Sequence, residues 1–492
     1  MRPVPPLRIR QANEEPLRSG DYVLYWMTAF RRPGWNFALQ RAVELAQECS
    51  RPLIILEALR CDYHWASDRL HAFVIQGMAD NQRAFAARAA ARYYPYLEPE
   101  RGAGKGLLAA LAKNACAVVG DDFPSFFLPR MVAAAAKQTP CRLEMVDSNG
   151  LLPLRAADKI FARAHDFRRF LQKNLRPHLD DFPEEDPLKY QRLPDLKQLP
   201  ASITRRWPAV DIEALRQDRI DLSQFPLDHA VKSVAMRGGC EAGEQRLADF
   251  LAVDLPRYDE KRNEPEQEAT SRLSPYLHFG HVSAHQVFHA AMARENWTPD
   301  QLADKATGSS AGWWGASEPL ESFLDELITW REVGYNRSWQ QESHDQYESL
   351  PEWAKTTLAE HAFDPREHTY SLEEFAASQT HDPLWNAAQR QLVREGRIHN
   401  YLRMLWGKKI LQWTPSPEEA LEVMIELNNK YALDGRNPNS YSGIFWVLGR
   451  YDRAWGPERP IFGKVRYMTS ENTARKYNVK QYLRTYSASS RD

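Results

Sequence analysis

Between Trp385 and Trp413 the chain reads WNAAQRQLVREGRIHNYLRMLWGKKILQW, two consecutive helical patterns holding three tryptophans, a buried-looking Asn-Tyr-Leu-Arg-Met run and no Ser, Thr or Cys nucleophile. At about 100° per residue, Arg403, Trp406, Ile410 and Trp413 of the second helix share one stripe, with Asn400 one turn earlier. Large π-systems beside a guanidinium suit the movement of electrons better than acid–base chemistry. A tryptophan at helical spacing is ordinarily core, because of the area that it buries. Here, however, 11 of the 15 tryptophans fall between Trp297 and Trp455. That enrichment calls for a partner with a flat face.

A second cluster is Thr270-Ser271-Arg272-Leu273-Ser274-Pro275. Hydroxyls followed by proline mark a helix start, with Ser274 as N-cap and Pro275 suited to the first turn. Free backbone N–H groups, several hydroxyls and Arg272 together make a phosphate cradle. Taken alone the run is equally a plain cap. The segment that follows it, PYLHFGHVSAHQVF, raises it above that.

The motifs TSRLSPYLHFG, FLDELITWRE, LWNAAQRQLVREGRIHNYLRM and LDGRNPNSYSGIFW resemble the photolyase/cryptochrome flavoproteins. THDPLWNAAQ, WGKKILQWTPSPEEALE, YALDGRNPN and DRAWGPERPIFGKVRYM, in that order, resemble the class II cyclobutane pyrimidine dimer photolyases, most strongly over residues 250–480. The resemblance implies a U-shaped FAD in a helical domain, active as FADH⁻. Light would drive an electron onto a pyrimidine dimer in DNA, the cyclobutane ring would split, and the electron would return.

Carried over by position, Tyr258, Thr270, Ser271, Arg272, Leu273 and Ser274 match FAD-phosphate contacts. Arg403, Asn428 and Asp434, with Gly435 next to it, match groups around the isoalloxazine ring. An Arg and an Asp there hold a balanced charge, and Asn428 donates or accepts as the flavin changes protonation state. The plain alternative is a structural salt bridge with a helix-surface Asn. The class II pattern puts Trp406 nearest the flavin, Trp385 next and Trp413 toward the surface as an electron path. Glu326, Trp330, Met404 and Trp446 match the dimer pocket: two stacking faces, a carboxyl for the base edges and a soft filler. Taken singly, Glu326 reads as half of a helix ion pair and Met404 as core. Arg453 and Trp455 match the segment that enters the gap left by the flipped dimer, while Lys408, Arg459 and Lys464 are candidates for DNA phosphates.

Two positions depart from the pattern. Asn400 stands where many class II enzymes have Gly and resembles class I, which places it against flavin or lesion. Leu405 replaces a residue that is often aromatic, which removes support for a tyrosine branch of the electron path. Relatives can carry an antenna such as a deazaflavin, and nothing in these residues decides that here. A signalling cryptochrome would keep the flavin and the tryptophans. A (6-4) photoproduct enzyme would want a histidine pair, and His399 reads as structural. The dimer-pocket set, and the absence of a long extension after Val479 to Tyr486, favour repair.

The elements that must position these residues follow from composition and pattern. A chain of 492 residues, 43% hydrophobic and 26% charged, implies two domains and linkers. A net charge of −1 leaves any basic surface local. Cys49, Cys61, Cys116, Cys141 and Cys240 show no CxxC spacing, so neither a disulfide framework nor structural zinc is expected. MRPVPPLRIRQANEEP lacks an apolar signal core, and no apolar run reaches membrane length, so neither secretion nor membrane contact is expected; the cysteine usage suits a reducing cytoplasm, and the chain is expected to be a monomer.

After a tail at 1–20, the runs YVLYWM, PLIILEAL, ACAVVGDD and RLEMVDS alternate with amphipathic segments. They predict an α/β, Rossmann-like domain over 21–180 with a parallel doubly wound sheet. Gly102, Gly104 and Gly106 are not expected to follow a strand, so no dinucleotide fingerprint is read. Residues 181–208 contain five prolines and open a linker over 181–235. From 236 to 492 the pattern is all-α, the expected FAD- and DNA-binding domain.

Overall fold

In chain order the strands are β1 (Ile9–Gln11), β2 (Tyr22–Met27), β3 (Leu53–Leu59), β4 (Ala91–Leu97), β5 (Ala115–Asp121) and β6 (Arg142–Val146). This is a computed structural model describing residues 2–88, 91–196, 198–212 and 221–488. Of the proposed linker 181–235, Lys197 and residues 213–220 lie outside the described residues, as do Met1, Ala89, Ala90 and residues 489–492 of the other divisions. The sheet runs β1-β6-β5-β2-β3-β4, parallel except for β1 against β6. All residues of β2 and β5 are buried, as strands covered on both faces must be. The four apolar runs all became strands.

β1 and β4 are additional to that reading. The first is three residues long. In β4 the apolar run is broken by Arg92 and Pro95, which an edge strand tolerates. Its presence corrects one expectation, because Gly102, Gly104 and Gly106 do follow a strand and precede the helix Leu107–Ala112. They still form no phosphate loop. Glu98 Oε1 accepts from Gly104 N at 3.0 Å, and the Trp207 indole donates to Ala103 O at 2.8 Å, so the turn is closed by its own side chains.

The strand order reverses between β2 and β5, where open α/β sheets usually bind ligands beyond the carboxyl ends of the strands. Here the backbone N–H groups of Thr28, Ala29 and Phe30 converge on Asp121 Oδ2 at 2.7, 2.7 and 2.9 Å. The Tyr25 hydroxyl donates to the other oxygen at 2.8 Å. The chain's own carboxylate thus fills the anion nest.

As compact units the chain interleaves. The first comprises Met1–Ala157, Asn174–Ala248 and Arg272–Asn296; the second comprises Asp158–Lys173, Asp249–Ser271 and Trp297–Asp492. Trp207, Ile203 and Leu199 of the proline-rich stretch pack into the core of the first unit. In the second, the helices Pro383–Glu395, Asn400–Trp413, Pro417–Tyr431 and Pro438–Val447 enclose a core that includes Trp385, Trp406 and Trp413. Two π-helical turns, Phe250–Asp254 and Asp325–Trp330, interrupt its α-helices. No helix among the described residues is long and apolar enough to cross a membrane.

Burial sets the pH response of the first unit. Desolvation lowers His71 to about 4, and His281, whose Nδ1 accepts from Gly239 N at 3.0 Å, to about 3. Both rings fold neutral, whereas the unfolded chain binds their protons near pH 6.5. Their contribution is complete above that pH and is lost as pH falls toward the folded values. The melting temperature should therefore drop between pH 6.5 and 4, with His71 accounting for on the order of 3 kcal/mol. His71→Phe, which keeps a ring stacked on Tyr63, should flatten the acid slope measured by thermal unfolding. An unchanged slope would remove His71 from this account.

Candidate functional site

The helix Pro383–Glu395 starts where Asp382 accepts from the N–H groups of Leu384 and Trp385, and stops at Gly396, whose φ of +69° needs no Cβ. The helix Asn400–Trp413 follows directly. The predicted stripe forms, with Trp406, Ile410 and Trp413 buried and Arg403 half-buried. Asn400, by contrast, is exposed rather than buried. Trp385 and Trp413 meet edge to face at 6.0 Å between ring centroids. The Trp385 indole donates to Trp406 O at 3.0 Å, and the Trp406 indole to Gln389 Oε1 at 2.9 Å. Both hydrogen bonds fix ring orientation within a dry core. Sequence reasoning missed Tyr370 and His381, which flank Trp413 at 5.6 and 5.0 Å and bond to each other at 2.6 Å. Only the THDP motif pointed near them.

Arg403 and Asp434 come together, loosely, with Nη2 3.4 Å from both carboxylate oxygens. Arg403 Nε is buried and has no hydrogen-bond partner in the protein. Asn428 is buried, not a helix-surface residue, and donates to Ser440 Oγ at 2.7 Å. Asp434 is carried by a loop fastened to the end of Pro417–Tyr431. Arg436 N donates to Asn429 Oδ1 at 2.8 Å, and its guanidinium reaches the carbonyls of Asn429 and Leu433. A Cβ on Gly435 would lie 2.8 Å from Asn428 O and 2.9 Å from Asn429 Cα, so glycine is required by close approach. Gly435→Ala should cost about 1–3 kcal/mol of stability and displace Asp434 from Arg403. Thermal unfolding checks the cost, and a melting temperature equal to wild type would contradict the packing argument.

Glu326 and Trp330 lie on the π turn Asp325–Trp330, both half-buried. Extra residues of this kind recur at functional sites because they re-aim side chains. Glu326 pairs not within its own helix but with Arg262, whose guanidinium also covers the Tyr258 ring at 5.6 Å. Burial pushes the Glu326 carboxyl up, opposed by Arg262. Its side chain keeps 32% of its surface, so solvent tempers that push. Arg262 was missed, although it stands four residues after Tyr258 on the same helical face. Asp325 binds Arg168 through both oxygens, at 2.6 and 2.8 Å.

Trp446, Trp455 and Arg453 are linked by a residue that sequence reasoning missed. The Arg466 guanidinium lies 5.1 Å from the Trp446 ring and 4.1 Å from Trp455, and Arg453 also lies 4.5 Å from Trp455. Asp452 fixes the group, accepting from Arg466 at 2.9 and 3.2 Å and from the Trp455 indole at 3.1 Å. Arg453 and Arg459 are exposed, and Lys464 is exposed but paired with Glu458 at 3.0 Å. Lys408 is a correction. It is fully buried, donates to Val447 O, sits 5.2 Å from the Trp446 ring and is lowered by desolvation to about 7, so it cannot reach a phosphate.

Met404 is half-buried, and a Cβ on Gly443 would stand 4.0 Å from its Cε. In the 270–274 run, Thr270 and Ser271 belong to the second unit and Arg272, Leu273 and Ser274 to the first. The cap assignment is corrected as well. Leu273 is the N-cap of Ser274–His278, with no side-chain cap bond, and Ser274 is the first helical residue, beside Pro275. Arg272 takes φ +55°, which sharpens the entry to the helix.

No family model matches the sequence. The chain is, however, 35% identical over 478 residues to the deoxyribodipyrimidine photo-lyase of Methanothermobacter thermautotrophicus, covering 97% of each. It is 32% identical to the enzymes of that name from Oryza sativa subsp. japonica, at 97% of this chain and 89% of that one, and from Potorous tridactylus, at 94% and 81%. Among solved structures, the fold is similar to a class III photolyase from Agrobacterium tumefaciens, with TM-score 0.68, 18% identity and coverage of 96% and 87%. It is also similar to a Synechocystis cryptochrome, with TM-score 0.65, 15% identity and coverage of 95% and 89%.

Proposed function

We propose that this chain, which belongs to the deoxyribodipyrimidine photo-lyase family, is a light-dependent enzyme of the class II type that binds FAD and splits cyclobutane pyrimidine dimers in DNA. One observation carries the reading. A single unit holds both a buried run of indoles and, on a π turn, a carboxyl group and a tryptophan suited to a flipped-out pair of pyrimidines.

The residues present fit the flavin. Arg403 offers a buried Nε–H without a protein partner, Asp434 balances its charge, and Gly435 lets the loop that carries Asp434 pack against the backbone of Asn428 and Asn429. When bound and reduced, FADH⁻ supplies a light-excitable electron donor. Asn428, held by Ser440, orients its amide at that position, and exposed Asn400 stands one turn before Arg403. Tyr258, Thr270 and Ser271 supply hydroxyls for phosphate oxygens, while Arg272, Leu273 and Ser274 rest on the sequence resemblance. Trp413, Trp385 and Trp406 conduct an electron inward from the side of Tyr370.

For the lesion, Trp330 and Trp446 provide stacking faces, Met404 fills beneath them, and Glu326, held by Arg262, offers a carboxyl group to a base edge. Arg453 and Trp455 fill the gap in the duplex, and Arg459 and Lys464 meet phosphates, which makes binding salt-dependent. A cytoplasmic monomer, with or without an antenna such as a deazaflavin, completes the reading. These lesion-facing residues favour repair over photoreception.

Illuminating the reduced holoprotein with a dimer-containing oligonucleotide should restore thymine absorbance. Bound, reduced flavin without repair would favour the photoreceptor. Trp406→Phe should retain FAD and, once reduced chemically, still repair, but should lose photoreduction; unchanged photoreduction would remove Trp406 from the path.

A further inference from the structure

We infer that Arg168 is a positioning residue for lesion recognition: by taking up Asp325, it leaves Arg262 free to hold Glu326 alone. The inference rests on the lesion-pocket reading of Glu326 given above.

Two carboxylates stand side by side in sequence on the π turn Asp325–Trp330, and each is met by an arginine from a different part of the chain. Arg168 grips Asp325 with two parallel bonds of 2.6 and 2.8 Å across a sequence separation of 157 residues, with both side chains 13% exposed. Such fork-to-fork pairing is the strongest geometry open to an arginine and a carboxylate. Arg262 holds Glu326.

The seat of Arg168 is built in detail. Its Nη1 donates to Gly308 O at 3.2 Å, and Gln172, one turn later, donates to Ser309 O at 2.9 Å and accepts from Gly308 N at 2.7 Å. Gly308 has φ +81°, and a Cβ there would meet the His165 ring at 2.7 Å. One face of the helix Ala164–Asn174 therefore fixes the Arg168 guanidinium from both ends. Lys159 O, in the same segment, accepts from Asn336 at 3.1 Å. Nothing in flavin binding or in the indole path uses this segment.

Adjacent like charges compete for any nearby cation. Without Arg168, Asp325, whose charge already acts on Tyr258 and Glu326, would be left unbalanced beside the pair that Arg262 makes with Glu326. Glu326 would then turn away from its partner, and the half-buried carboxyl would lose its fixed direction. Arg168 and Arg262 also both oppose the upward push that burial and Asp325 exert on Glu326. The pairing divides two cations between two anions in a unique way, a device for specificity more than for stability.

Dark equilibrium binding of the holoprotein to dimer-containing and undamaged duplexes tests this. Arg168→Gln should reduce the preference for the damaged duplex about tenfold, the scale of one misdirected charged hydrogen bond. Arg168→Lys, which keeps the charge, should recover most of it. Arg168→Gln with Asp325→Asn removes both the clamp and the competitor and should return the preference to within about threefold of wild type. Photoreduction should be the same in all of these, which shows that each is folded and loaded. A double variant as weak as the single one would mean that Arg168 only props the fold, and would overturn the inference. So would an Arg168→Gln protein with wild-type preference beside a Glu326→Gln protein that has lost it. If Glu326→Gln keeps full preference, the lesion-pocket reading itself fails, and this inference with it.

Discussion

Charge pairing between distant segments is the constraint on which the helical unit rests. Arg403 meets Asp434, Arg262 meets Glu326 and Arg168 meets Asp325, each across two elements, and Arg466 meets Asp452 within the connecting segment 448–469. A partly buried charge left alone is unfavourable, less so where solvent reaches it, so each partner favours the docking of its element. The pairs thus specify where helices and loops sit, and the apolar core supplies the stability. Function borrows the same framework. A guanidinium that anchors a turn also presents a neighbouring carboxyl in one direction, and Arg466 that anchors a loop also separates two indole faces.

Much of this was legible in sequence, for reasons that differ by element. The central strands announce themselves because burial on both faces forces an unbroken apolar run, as in YVLYWM and ACAVVGD. Edge strand β4 did not, because its outer side tolerates Arg92 and Pro95, and with it went the correct placement of Gly102, Gly104 and Gly106. The indole stripe from Trp406 to Trp413 was readable from helical spacing alone, since three of its members are core. The partners of the charged residues were not. Arg262, Arg466 and above all Arg168 find their carboxylates through tertiary folding, and a linear pattern carries no trace of a contact made across 157 residues. Lys408 failed for the opposite reason. A lysine on a helix reads as a solvated cation, whereas this one lies wholly inside, against Val447 O and Trp446. Ser274 misled in a smaller way, because a good N-cap residue one position inside the helix leaves the cap to Leu273.

Three titratable groups of the second unit share a direction. Burial pushes Glu326 up, His399 down to about 4 and Lys408 down to about 7, each toward its uncharged form. Acid–base catalysis needs groups that change charge during a turnover. Electron transfer asks for the reverse. A charge that appears and disappears within a turnover moves fastest among neighbours that neither take up protons nor reorient, because their reorganisation adds to the barrier. The indoles satisfy the second condition through fixed N–H bonds, Trp385 to Trp406 O and Trp406 to Gln389. The absence of a Ser, Thr or Cys nucleophile from 383–413 in the sequence and the hydrogen-bonded indoles in the structure are two expressions of one arrangement: these helices hold aromatic rings in fixed orientation and offer no hydroxyl or thiol for attack.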